Sequence, residues 1–203
     1  MNFNFKIKVS DKAPLVLKEK KLKVLEAMAY GLSNKAISEK LGIPVKTIER
    51  ILNEVNKKSN NKSKYFSPRI RLILSLVALD LFEYETETKP RLITELNDNL
   101  RKTLILCCVG FSNKAIASLF KLSEKAIELR FSQLFDYFNI DTKNQALENP
   151  RVALFISAYC RENIKNAQLK RLFKETQGDR LEAIFANSNA FLESIEDDFK
   201  FIG

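Results

Sequence analysis

Gly31-Leu32-Ser33-Asn34-Lys35-Ala36-Ile37 recurs 79 residues later as Gly110-Phe111-Ser112-Asn113-Lys114-Ala115-Ile116. In each copy the glycine suits the stop of one helix, because it enters the left-handed region without a Cβ penalty. The serine two residues on suits the cap of the next helix. Lys-Ala-Ile then starts that helix. A duplication of this kind predicts two units of like build.

The flanks of the first copy extend the pattern. Within Leu17 to Tyr30, Leu22, Leu25, Met28 and Ala29 fall at helical spacing. The helix after Ser33 is expected to run from about Asn34 to Leu41, with Ile37 and Leu41 inward, and to stop at Gly42. Pro44 suits a first helical turn. It should open a third helix, Val45 to Lys57, whose Val45, Ile48, Leu52 and Val55 share one apolar face. A polar loop over Ser59 to Lys64 precedes a fourth helix, from Ser67-Pro68 to about Phe82. That helix is apolar on most of its circumference. It should be covered by its own unit and by the other unit or a second chain.

The second copy repeats the plan with helices over about Ile93 to Val109, Asn113 to Phe120 and Glu124 to Tyr137. Leu25 corresponds to Leu104, Ile37 to Ile116, Leu41 to Phe120, Ile43 to Leu122, Ile48 to Ile127 and Val55 to Leu134. Cys107 and Cys108 take the positions of Met28 and Ala29, which makes them small core residues. The fourth helices correspond through Pro68-Arg69-Ile70 and Pro150-Arg151-Val152, and through Ser75 and Ser157.

Two segments lie outside the repeat. Phe3, Phe5, Ile7 and Val9 alternate with Asn4, Lys6 and Lys8, as in a short strand. It should pair with another chain's copy or lie along a helix groove, or else stay a partly disordered arm. Ala167 to Thr176 and Arg180 to Asp197 read as helices, with an apolar stripe of Leu181, Ile184, Phe185, Phe191, Leu192 and Ile195. They should cover the fourth helices, with dimerisation as the alternative. The expected fold is all-α: an arm over 1–14, a unit over 15–83, an acidic linker over 84–91, a second and divergent unit over 92–165, and a helical segment over 166–203.

The chain has 203 residues, 34 Lys and Arg against 25 Asp and Glu, and a net charge of +9. The excess is uneven. Residues 11–64 hold 13 basic and 6 acidic side chains, net +7, whereas residues 162–203 hold 6 and 8, net −2. A basic first third suits a polyanion partner. There is no His, so the commonest general base and metal ligand is missing. Cys107, Cys108 and Cys160 lack metal-ligand spacing, and no Gly-rich phosphate loop is present. No apolar run approaches the roughly 20 residues of a membrane span. These features argue against an enzyme, a cofactor and a membrane, and for a cytoplasmic, nucleoid-associated protein. The cluster Glu193, Glu196, Asp197 and Asp198 reads as a solvated helix end.

Residues 17–58 resemble the LuxR/GerE-type helix-turn-helix of bacterial transcription regulators. The resemblance runs through Glu26 to Ile37, Leu41-Gly42-Ile43 and Val45-Lys46-Thr47-Ile48. Residues 96–147 resemble it through Gly110 to Ile116, Leu122 to Ile127 and Asn144-Gln145-Ala146-Leu147. The resemblance implies two tandem four-helix units whose third helix enters the DNA major groove, without the receiver or sensing domain that often precedes the module. It implies DNA contacts from Ser33, Asn34 and Lys35 at the start of the scaffold helix. Thr47 and Lys35 match the family's phosphate-binding positions.

Side-chain chemistry adds Lys46, Glu49, Arg50, Asn53 and Lys57 on the outer face of the third helix. Lys and Arg bind phosphate or guanine, Asn reads adenine, and Glu accepts from cytosine. Ile51 stands where the family often has His. In the second unit Ala126 replaces Thr47, Leu129 replaces Arg50 and Asp136 replaces Lys57. That leaves Lys114, Lys125 and Arg130 as possible contacts. Phe131 and Phe138 should face the core, and Phe135 and Tyr137 should be exposed.

The expected function is a sequence-specific DNA-binding transcription regulator, its first unit reading bases and its second weaker or used in assembly. The alternative is an adaptor docking on RNA polymerase or another regulator. A homodimer on a palindromic site is expected, because the two outer faces differ too much to read equivalent half-sites.

Overall fold

The structure, a computed structural model, describes residues 5–13, 17–58, 64–86, 96–143, 149–160, 166–178 and 180–199. It is mostly helical. The first series is α1 (Glu19–Ala29), α2 (Asn34–Leu41), α3 (Val45–Lys58) and α4 (Pro68–Ala78). A second series follows as α5 (Asp98–Val109), α6 (Asn113–Phe120), α7 (Glu124–Tyr137) and α8 (Pro150–Cys160). Then come α9 (Asn166–Glu175), α10 (Arg180–Ala186) and α11 (Ser188–Phe199). Two short strands, β1 (Phe5–Val9) and β2 (Phe82–Thr86), pair antiparallel with Ile7 opposite Tyr84. Residues 1–4, 59–63 and 87–95 and the tetrapeptide Asn144 to Leu147 lie outside the described residues.

The turn that recurs in the sequence closes in the same way both times. Gly31 (φ +89°) donates to Met28 O and Leu32 to Ala27 O. Gly110 (φ +98°) donates to Cys107 O and Phe111 to Leu106 O. This paired closure satisfies the last carbonyls of α1 and α5. Ser33 and Ser112 then accept from the amides of Ala36 and Ala115, each at 3.2 Å, and cap α2 and α6.

α5 lies at the centre. Thr103 to Val109 are all buried, and the helix packs on α4, α7, α8, α9 and α11. Cys107 and Cys108 belong to this core, as the alignment of the copies predicts. α4 is buried from Ile70 to Val77 by α5, α8 and α9. α5 and α8 of the other series, together with α9, cover its apolar circumference.

Several expectations are corrected. α4 stops at Ala78, short of Phe82. Asp80 adopts φ +54°, and the bonds Asp80 N to Val77 O and Leu81 N to Leu76 O end the helix. The segment expected to be a linker begins as β2. Phe82 and Tyr84 turn inward while Glu83 and Glu85 face solvent. β1 therefore finds its partner within the chain, and Tyr84 pins the pair by donating to Ala29 O at 2.9 Å.

The helix expected from Arg180 to Asp197 is two helices broken at Asn187. Phe185 and Phe191 are six residues apart, out of phase with a 3.6-residue turn. The break lets Leu181 and Ile184 be buried together with Phe191, Leu192 and Ile195. Val45, placed on the inner face by spacing, is 37% exposed at the first turn of α3. Phe131 and Phe138 are buried as expected, but Phe135 and Tyr137 are half-buried against the core.

Arg71 fixes the C-terminal segment. Its side chain is 1% exposed and lies between the rings of Phe66 and Phe173, at 4.1 and 4.3 Å from their centroids. It donates to Val109 O (3.1 Å) at the end of α5 and to Phe173 O (3.3 Å), Thr176 O (3.1 Å) and Thr176 Oγ1 (2.9 Å) at the end of α9. Burial pushes the guanidinium down to about 9, so it stays charged at pH 7.

A Cβ on Gly110 would lie 3.2 Å from the Arg71 backbone, whereas one on Gly42 (φ +64°) meets nothing within 4 Å. Both substitutions to Ala carry the left-handed strain, about 1 kcal/mol. Gly110→Ala adds a backbone collision and should cost roughly 2–4 kcal/mol in all. Urea denaturation of the two variants checks the difference. Equal losses would mean that the close approach carries no energy.

Candidate nucleic-acid interface

α1, α2 and α3 form a three-helix unit whose outward surface is α3. Ile48, Ile51 and Leu52 anchor α3 on its inner side. Lys21 on α1 meets Glu54 on α3 at 2.5 Å, and Lys58 adds a longer contact of 3.7 Å to the same carboxylate. The Lys21 contact holds the Glu54 carboxyl below its usual range. The pair is partly exposed, so its main effect is to fix the roll of α3 against α1.

That roll brings Lys46, Glu49, Arg50, Asn53 and Lys57 to the outside, all exposed. Thr47 is half-buried beside them. Lys35 is exposed at the start of α2. None of Lys35, Lys46, Arg50 and Lys57 forms an ion pair with another described residue. Four cations without a close ion pair, on or near one helix, make a surface able to receive phosphates, with Asn53 and Glu49 between them as base-reading chemistry.

Ser33 and Asn34 sit differently. Ser33 Oγ is occupied by the α2 cap. Asn34 Oδ1 accepts from Arg69 Nη2, and Arg69 Nη1 donates to Leu32 O at 2.5 Å. Burial pushes the Arg69 guanidinium down to about 10. Arg69 therefore ties the start of α4 to the turn between α1 and α2. Both side chains are engaged in holding the turn that aims α3. Ile51 is buried.

The corresponding surface of α7 is different. Lys125 is paired with Glu128 at 3.2 Å. Leu129 is 60% exposed, and Ser132 and Asp136 are exposed beside it. Arg130 turns to the body of the protein, 4.4 Å above the Phe120 ring, and donates to Thr103 Oγ1 at 3.4 Å. Burial lowers its pKa from the usual value. Lys114 is exposed. Arg151 repeats the Arg69 clamp, donating to Phe111 O (2.6 Å) and Asn113 Oδ1 (2.8 Å).

The two clamping arginines were visible in the sequence as Pro-Arg at the start of both fourth helices. Their partners could not be read there, because a turn 35 to 40 residues earlier supplies them. Arg71 had no such signal, since Ala153 stands at the matching place in α8.

No group of three or more His, Cys, Asp or Glu able to hold a metal occurs among the described residues. No described helix is long and apolar enough to cross a membrane. The thiols are poor nucleophiles by position. All three cysteines are buried, and burial raises Cys108 well above the usual thiol value and Cys160 to about 12.

Residues 15–66 match the family described as bacterial regulatory proteins, luxR family. No curated protein and no solved structure matches the chain. The chain thus carries a GerE/LuxR-type helix-turn-helix domain at residues 15–66, which supports a DNA-binding transcription regulator in general. The family is one of regulators and not of enzymes.

A thiol must be reached and must ionise to react; all three are covered, and burial also holds Cys108 and Cys160 protonated. Iodoacetamide at pH 8 should modify none of the three cysteines in the folded protein within an hour and all three in 8 M urea, as read by intact mass. Rapid labelling of native Cys108 or Cys160 would contradict the buried core position.

Proposed function

We propose that this protein is a sequence-specific DNA-binding transcription regulator in which α3 enters the major groove and reads bases. The observation that carries the reading is the outer face of α3. Lys46, Arg50 and Lys57 stand exposed there with no described carboxylate within ion-pair distance, around Asn53 and Glu49. Lys35 and Thr47 would bind phosphate. Arg50 and Asn53, at the middle of the face, would contact base edges, with Glu49 available to cytosine N4. Ser33 and Asn34 would act through the turn they hold more than by direct contact.

The second series, α5 to α8, is proposed to be a second helix-turn-helix unit that has kept the scaffold and lost the reader. Helix lengths support this, equal in three of the four pairs and one residue apart in the first, as do the same serine caps, the same glycine closure and the same arginine clamp. Its outer face offers one lysine already paired with Glu128, an exposed Leu129 and an acidic Asp136. Such a face gains little from phosphates. Exposed Leu129 also favours a second reading in which α7 meets another protein, such as RNA polymerase.

Fluorescence anisotropy with random-sequence duplexes at low salt, followed by selection of a preferred site, tests the first unit. Arg50→Ala should weaken the selected site by about 1–3 kcal/mol and relax its sequence preference. Lys46→Ala should weaken all sequences alike and reduce the salt slope by about one. Lys125→Ala, with its ion pair on α7, should change binding less than twofold. Absence of salt-dependent binding by the wild type would remove the proposal.

A further inference from the structure

Among the described residues three backbone hydrogen bonds cross between the series: Ser112 N donates to Tyr65 O at 2.8 Å, and the other two are reciprocal. Ser67 N, just before α4, donates to Gly110 O at 2.6 Å. Asn149 N, just before α8, donates to Gly31 O at 2.8 Å. Ser67 and Asn149 are matching positions of the repeat, each preceding Pro-Arg, and Gly31 and Gly110 are the matching turn glycines. Each turn glycine also faces the other series' fourth helix. Gly110 lies over the Arg71 backbone, and a Cβ on Gly31 would sit 3.8 Å from Val152 and 3.9 Å from Ile156. α4 and α8 pack directly on one another. Where position i of one body meets j of the other, and j meets i, the contact is isologous and implies a twofold relation. Here both bodies belong to one chain.

We infer that a single chain is the complete DNA-binding assembly: its two units pair through the turn glycines and the fourth helices as an internal twofold, and one chain occupies one site whose halves are read unequally. The inference rests on the DNA-binding reading above for its second clause only. It replaces the homodimer expected from the difference between the two outer faces. That difference calls for an asymmetric site, which an internal pair meets without a second copy.

The surfaces a second copy would use are occupied. Ile70 to Val77 of α4 and Val152 to Ala158 of α8 are buried within the chain, and the stripe on α10 and α11 is turned inward. Among the described residues, the large apolar side chains left exposed are Val45, Leu79, Leu122 and Leu129. Each comes from a different element or turn, so they offer no continuous apolar face for a dimer.

Light scattering coupled to size exclusion decides the first clause without DNA. The free chain should run as a monomer of 23.4 kDa at all concentrations tested. A stable dimer would overturn the inference, whatever the protein does with DNA. The second clause uses the duplex selected by the wild type, at saturating protein. One chain per duplex supports it, and two overturn it. If no duplex is selected at low salt, the DNA-binding reading and the second clause fall together, and the free mass still judges the pairing.

A surface variant gives an independent measure. Leu129→Arg with Asp136→Lys copies Arg50 and Lys57 onto exposed positions of α7. With inverted repeats of the selected half-site at a series of spacings, the double variant should bind about ten- to hundredfold tighter than the wild type at one spacing, through two linked contacts. No gain at any spacing would overturn the inference.

Discussion

A guanidinium buried among carbonyls holds this structure together. Moving a charge out of water costs several kcal/mol, and Arg71 has no carboxylate to offset it among the described residues. The compensation comes from geometry. α5 and α9 both end on it, and the C-terminus of a helix presents unsatisfied carbonyls and a partial negative charge. Four hydrogen bonds and two aromatic faces surround the charge, and only Nε lacks a hydrogen-bond partner. α4, α5 and α9 therefore have to converge on one residue. Gly110 must lack a side chain for the same reason, because the Arg71 backbone passes where a Cβ would be.

The convergence explains why the two series resemble each other in scaffold and differ in surface. Turn closure, serine caps and arginine clamps are all set by buried backbone groups that need partners. A change at any of them leaves a carbonyl or amide without one. The outer faces of α3 and α7 have no such duty. Arg50 and Leu129 sit at matching places, and both are exposed. Nothing in the packing prevents one from becoming the other, so the outer surface is free to diverge while the fold is not.

The same distinction decides what was legible in the sequence. Glycine stops and serine caps act through local backbone, so Gly31, Gly110, Ser33 and Ser112 announced themselves. Periodic cores did too, down to Cys107 and Cys108. β2 was also written, with Phe82 and Tyr84 alternating with Glu83 and Glu85. Its acidic half resembled a linker, and the partner that buries Phe82 and Tyr84 lies over 70 residues away in β1. The break at Asn187 was concealed because its stripe shifts phase without a glycine or proline. Arg71 was beyond reach: its partners are 38 and up to 105 residues distant, and its counterpart in the repeat is alanine. For the candidate interface, spacing located the exposed face of α3. It could not say that Asn34 is held by Arg69 or that Arg130 leaves the surface to stack on Phe120.

The helix-turn-helix match ends at residue 66, three residues before the arginine that ties its turn. Arg69 belongs to α4, and α4 is buried by α5, α8 and α9. The chain of support thus runs from the second series through α4 and Arg69 to Leu32 and Asn34, and from there to the angle at which α3 leaves the body. Asn149 reaches the same turn directly at Gly31 O. The second series therefore has a physical task in the first. It holds the turn on which the basic helix depends, and that task requires its glycine, its serine and its fourth helix but none of the residues at the tip of α7.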